Sequence, residues 1–153
     1  MAWEDMSWAY VAGFFDGEGT IRAQERTDSR GYPQRVWQLC FYQSSREVLD
    51  EIQAFLAAEG IESQVYVHIE AGQRTGRYGT RNQNYTAYVL RVGRALNVYK
   101  TLMQMERHLR VKYEQALDTI SRLEDLMELA LDGQLGNSKA NQTYAALKVV
   151  ENG

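Results

Sequence analysis

The sequence predicts an α+β domain in which helices cover one face of two antiparallel β-hairpins. Two observations carry that expectation. Four short stretches alternate apolar and polar residues with a period of two, and they fall into two pairs. Helical periodicity precedes, separates and follows those pairs. At 153 residues, 44% hydrophobic and with ten Tyr, the chain can bury a real core and does not read as disordered. A single domain is expected over 1–153, with its core over about 5–131 and an accessory C-terminal helix at about 138–151.

The first element is a helix over about 8–17, capped by Ser7. Small residues recur along it at Ala9, Ala12, Gly13 and Gly17. Gly at 13 costs roughly 1 kcal/mol of helix propensity relative to Ala, so close approach of another helix backbone is a reason for it. Strands follow at Thr20–Thr27 and Gln34–Gln43, joined by a turn with Gly31 and the single proline, Pro33. Trp37, Leu39 and Phe41 face one way; Val36, Gln38 and Cys40 face the other. "SSREVLDEIQAFLAAEG" is a helix, with Ser44 and Glu47 as a capping box and Gly60 just past its end. Val48, Ile52, Phe55 and Leu56 form its apolar face.

Residues 62–70 alternate around Val65, Val67 and Ile69, and residues 84–92 around Tyr88, Leu90 and Val92. They form a second hairpin. Its long tip, "AGQRTGRYGTRNQN", is Gly-rich and carries Arg74, Arg77 and Arg81 with no acid. The remainder is helical, at about 94–106, 111–131 and 139–150, with a break at "DGQLGNS". Leu102, Met103 and Met105 have the spacing of a helix core and imply no cofactor. His68 and His108 are isolated and read as surface or packing residues.

Composition excludes several classes. No stretch approaches the ~20 apolar residues of a membrane span, and the N-terminus lacks a signal pattern. No membrane partner is expected. Cys40 is the only cysteine, which excludes an internal disulfide and any multi-cysteine zinc site. An intracellular setting, cytoplasm or organelle interior, is expected and secretion is not. The net charge of −3 argues against nucleic acid, but the charge is segregated. Residues 72–113 hold nine Lys or Arg against one acid, and residues 114–153 hold seven acids against three bases. That distribution admits a basic surface on an acidic body, with a mixed solvated surface as the other reading. The sheet face away from the helices would carry Arg22, Gln24, Arg26, Gln34, Val36, Gln38 and part of Cys40. Long, polar, basic side chains are what a DNA groove reader requires.

One stretch resists a purely structural reading. In "YVAGFFDGEGTI" two acids, Asp16 and Glu18, stand where the first helix ends. That end carries partial negative charge, so acids there are disfavoured by roughly 0.3–1 kcal/mol each. A polar turn with Gly17 and Gly19 is one reading and a cation site is the other. Val11-Ala12-Gly13-Phe14-Phe15-Asp16-Gly17-Glu18-Gly19 resembles the nine-letter motif of the LAGLIDADG homing endonuclease family, without a gap. The order of elements matches that family over roughly residues 5–130. With one motif the chain looks like the homodimeric branch.

The resemblance implies an αββαββα fold with an antiparallel, saddle-shaped sheet, here with extra C-terminal helices. It implies a homodimer through the motif helix, at Ala9, Ala12, Gly13, Asp16 and Gly17. It implies that Glu18 and its symmetry mate hold magnesium or manganese. Gln43 matches the family's water-positioning residue, and Lys112, with Arg110 next best, its basic residue near the cleaved phosphate. Arg46 would join that catalytic network. Asp16 matches the first acid, whose usual role is structural. The reaction implied is metal-dependent hydrolysis, making a staggered double-strand cut in a long, roughly palindromic DNA site. Arg22, Gln24, Arg26 and Gln38 would read bases, with Val36 and Cys40 limited to a thymine methyl, and Arg74, Arg77 and Arg81 would hold phosphates. The sequence departs from the family in having Glu as the motif's second acid and in its acidic overall charge.

Two other classes stay open: a non-cleaving binding protein on the same fold, such as an RNA maturase or transcription regulator, and a protein–protein dimer module. An acid at 18, Gln43 and a base at 110 or 112 favour the enzyme.

Overall fold

The structure, a computed structural model, describes residues 6–27, 29–31, 33–69, 72–76, 79–83 and 86–131. The expected helix at 139–150, Arg77, and the side chains of Arg26, Gln34, Arg74 and Arg81 lie outside the described residues. Helix α1 (Trp8–Glu18) leads into strands β1 (Gly19–Thr27) and β2 (Pro33–Gln43), helix α2 (Arg46–Ala58) and strand β3 (Gln64–Ile69). Strands β4 (Gly72–Gly76), β5 (Gly79–Gln83) and β6 (Ala87–Gly93) follow, then α3 (Ala95–Met105), a 3₁₀ turn (Glu106–His108) and α4 (Tyr113–Leu131).

Four antiparallel strands form the main sheet in the order β1-β2-β6-β3. The register Gly19↔Phe41 and Arg22↔Gln38 makes β1–β2 the expected hairpin. The second hairpin pairs β3 with β6, for instance Val65↔Leu90. Its long tip carries further pairing. Strands β4 and β5 pair as a separate ribbon with Arg74 opposite Arg81. Backbone pairing outweighs the flexibility of the tip's glycines.

The helices cover one sheet face, as the alternation requires. Ile21, Leu39, Phe41, Leu90 and Val92 meet Val11 and Phe15 of α1, Leu49, Ile52 and Leu56 of α2, Val98 and Leu102 of α3, and Leu123 and Met127 of α4. Phe15 is fully buried with its ring 4.8 Å from that of Phe41. Burying such a side chain contributes about 1.5–3 kcal/mol. Met103 departs from the expected core: it is 47% exposed while Leu102 and Met105 are buried. It follows Leu102 by one residue, so the helix turns it about 100° away from the sheet.

Caps set the helix ends. Ser7 Oγ accepts from the Tyr10 amide at 3.1 Å. Gly60, at φ +78°, closes α2 with the Ile61 amide on the Leu56 carbonyl at 2.9 Å. The capping box at Ser44 does not form. Helix α2 starts one residue later, with Ser45 as a cap lacking a side-chain bond. The Ser44 amide and hydroxyl both donate to Gln43 Oε1, at 2.9 and 3.2 Å, which takes Ser44 out of the helix.

Candidate metal and nucleic-acid site

The acids at the end of α1 have separate fates. Asp16 reaches across to the turn before α4. Its Oδ2 accepts from the amides of Arg110 and Val111, both at 3.0 Å, and its Oδ1 from the Lys112 amide at 2.8 Å. Burial by itself would raise its pKa. The Val111, Lys112 and Arg110 amides and the Lys112 charge outweigh that and hold the carboxyl below its ordinary value. The Lys112 ammonium also donates to the Asp16 carbonyl at 2.7 Å. A cation therefore neutralises the carbonyl end of α1, where the helix dipole is negative.

Glu18 is the last residue of α1 and stands exposed. Among the described residues it makes no side-chain hydrogen bond or ion pair. Gly19 then turns the chain directly into β1. A Cβ there would overlap the Phe15 ring and lie 2.6 Å from the Phe15 carbonyl oxygen, so only glycine lets helix and strand join this closely. Since Gly19 pairs with Phe41, Gln43 closes β2 at the same end of the sheet. Its amide oxygen is engaged by Ser44. Arg46 opens α2, pairs with Asp50 at 3.7 Å, and lies 5.6 Å over the Tyr88 ring. Arg110 is exposed.

The small-residue stripe divides in two. Ala9, Gly13 and Gly17 are exposed, and a Cβ at Gly13 or Gly17 would meet nothing within 4 Å. Ala12 has no accessible surface and belongs to the chain's own core. It therefore cannot line an interface. Its place on the wheel, beside Val11 and Phe15, accounts for this. Asp16 likewise turns its carboxylate to its own chain.

The open sheet face also differs in one respect. Gln24 is exposed, and Arg22, Val36 and Gln38 are half-buried. Cys40 is fully buried and cannot touch a groove. Its neighbours on that face, Thr20, Gln38, Tyr42 and Arg91, are all larger than cysteine. The Tyr42 hydroxyl accepts from Arg22 Nη2 at 3.5 Å. Burial first, and Cys40 beside it, push the Tyr42 phenol up, while Arg22 pulls the other way.

The open face extends beyond the β1 and β2 residues expected from the sequence. The other half carries Gln64, Tyr66 and His68 of β3 and Arg91 of β6. Arg91 lies 5.2 Å over the Tyr66 ring, and the His68 ring is 4.9 Å from that of Tyr42. The signal was present, since the alternation that sends Val65 and Leu90 inward sends Tyr66 and Arg91 outward.

The α+β fold, a motif helix ending in acids and a helix-free polar sheet face define a class of protein. Residues 5–105 match the model of the LAGLIDADG-like domain, and the chain belongs to the LAGLIDADG family. No curated protein matches the chain in sequence. Among solved structures it is similar to the homing endonuclease I-CvuI in complex with its target in the presence of calcium. That similarity has a TM-score of 0.56 and 24% identity and covers 94% of each chain. It is similar also to the archaeal intron-encoded homing endonuclease I-Vdi141I complexed with DNA, with a TM-score of 0.53 and 19% identity, over 98% of this chain and 99% of that one. Against the meganuclease I-CpaMI bound to uncleaved DNA the TM-score is 0.60 and the identity 13%, over 90% of this chain but 42% of that one. These likenesses establish a common fold.

Proposed function

We propose that the protein is a homodimeric, site-specific DNA endonuclease that hydrolyses one phosphodiester in each strand of a roughly palindromic site. The family and the DNA complexes of its structural neighbours support a DNA-binding endonuclease. The observation that carries the reading is the end of α1, where an exposed Glu18, with no cation partner among the described residues, lies two residues past a carbonyl bound by Lys112.

The donor set fits a hard divalent cation, in that a free carboxylate at the negative end of a helix is the ligand magnesium or manganese takes. Among the described residues no three His, Cys, Asp or Glu side chains gather to hold a metal. One chain thus supplies Glu18, and a second copy and the DNA phosphates supply the rest. When bound, the ion lowers the pKa of an attacking water and stabilises the leaving oxygen. The chain's own groups do the remaining work. Lys112 holds a positive charge beside the developing phosphate charge. Gln43 orients a water through its amide, once its Ser44 bonds yield. The exposed Ala9–Gly13–Gly17 face seats against its own copy and brings the two Glu18 side chains together. Arg22, Gln24 and Gln38 read bases on the open face.

The test is a cleavage-site selection on a randomised DNA library, with and without magnesium. Magnesium-dependent cuts on both strands with a fixed stagger support the reading. Salt-sensitive binding to DNA or RNA without any cut replaces it with the non-cleaving one.

A further inference from the structure

We infer that Asp16 is the positioning residue for Lys112, and that the two form one device at the end of α1. The inference rests on the hydrolase reading of the site and deepens it.

The turn before α4 has no anchor of its own. Lys112 is the cap of α4, because its carbonyl accepts the first helical bond from the Ala116 amide at 2.9 Å. A capping residue normally offers a side-chain oxygen to nearby amides, and Lys has none. Arg110, Val111 and Tyr113 supply none to these amides either. Val111 is 81% exposed and Arg110 is exposed, so burial does not fix the segment between Leu109 and Tyr113. Without a partner from elsewhere, three consecutive amides would have only water. Asp16, 94 to 96 positions earlier, binds all three.

The same residue then fixes the side chain. A lysine on an exposed turn has four rotatable bonds and samples many rotamers. Here its ammonium is bound to the Asp16 carbonyl at 2.7 Å and lies 5.8 Å from the centre of the Phe15 ring. The Asp16 carboxylate sets the Lys112 backbone and the Asp16 carbonyl sets its charge. Both Asp16 carboxylate oxygens accept from this turn, whereas Glu18 makes no side-chain hydrogen bond or ion pair among the described residues. Lys112 acts as a fixed cation, held as a donor, and Asp16 touches neither DNA nor metal.

The experiment has two arms. In the first, hydrogen exchange is measured on the wild-type protein without DNA or metal. The amides of residues 110–112 are expected to be protected and the Lys112 ammonium protons to be slowed. Exchange at the rate of an open loop overturns the inference, whether or not the protein cuts DNA. In the second, single-turnover cutting and DNA affinity are measured for Asp16→Asn, Lys112→Met and the double variant. Asp16→Asn is expected to slow cutting at least about tenfold while affinity stays within about twofold. The double variant is expected to cut no more slowly than Lys112→Met alone. Independent, multiplying losses overturn the inference. A wild-type protein that cuts no DNA removes the proposed function, and the exchange arm still decides whether Asp16 holds Lys112.

Discussion

A glycine inside a helix needs a reason, and the three glycines of α1 and its exit, Gly13, Gly17 and Gly19, have different ones. Gly19 is required by its own chain, because any Cβ there collides with Phe15. Gly19→Ala should lower stability by about 1–3 kcal/mol, read as a fall in the urea midpoint at constant slope. Gly13 and Gly17 face open space, so the isolated chain gains nothing from them. Each costs about 1 kcal/mol of helix propensity relative to Ala. A second backbone drawn up to that face is the reading that gives them a use. Glu18 likewise has no side-chain partner among the described residues. Glu18→Gln should abolish cutting and leave filter-binding affinity for DNA nearly unchanged, since the change removes a carboxylate and keeps its size. A variant that cuts at the normal rate removes Glu18 from the site.

Between elements, Asp16 fastens the end of α1 to the start of α4. Its carboxyl is held below the ordinary value of 3.8, so its contribution is whole above that value and is lost as pH falls through the lower folded value. Wild-type stability should therefore fall in that acidic window by a component that Asp16→Asn lacks, measured by urea unfolding from pH 6 to pH 3. This junction shows what the sequence could and could not disclose. The elements were legible because alternation, Ser7, Gly60 and the motif are local signals. Glu18 was legible because a helix end with an unpaired acid is anomalous in itself. The Asp16–Lys112 linkage was not, because it joins residues 96 apart in sequence through a turn with no capping residue. Ala12 and Cys40 were misplaced for a related reason. Periodicity gives the face a residue occupies, but burial depends on the neighbours, and Cys40 stands between Tyr42 and Arg91 on a face where Val89 is fully buried as well.

At the scale of the molecule, the chain is acidic overall yet gathers base in the segment that contains the β4–β5 ribbon and the turn before α4. Phosphate contacts from that segment predict binding that weakens steeply with salt. Arg74→Ala with Arg81→Ala should lower affinity evenly across DNA sequences and reduce the salt slope by roughly 2. Changes on the open sheet face, such as Gln38→Ala, should instead alter which bases are preferred. Gly13→Leu tests the assembly: it should prevent pairing without unfolding the chain, because a Cβ added there meets nothing within 4 Å among the described residues. The account as a whole depends on two copies sharing one cutting centre. Sedimentation equilibrium, run at the concentration at which the protein cuts DNA, tests that most directly. It should give twice the 17.6 kDa chain mass, and a single-chain species that cuts both strands would contradict it.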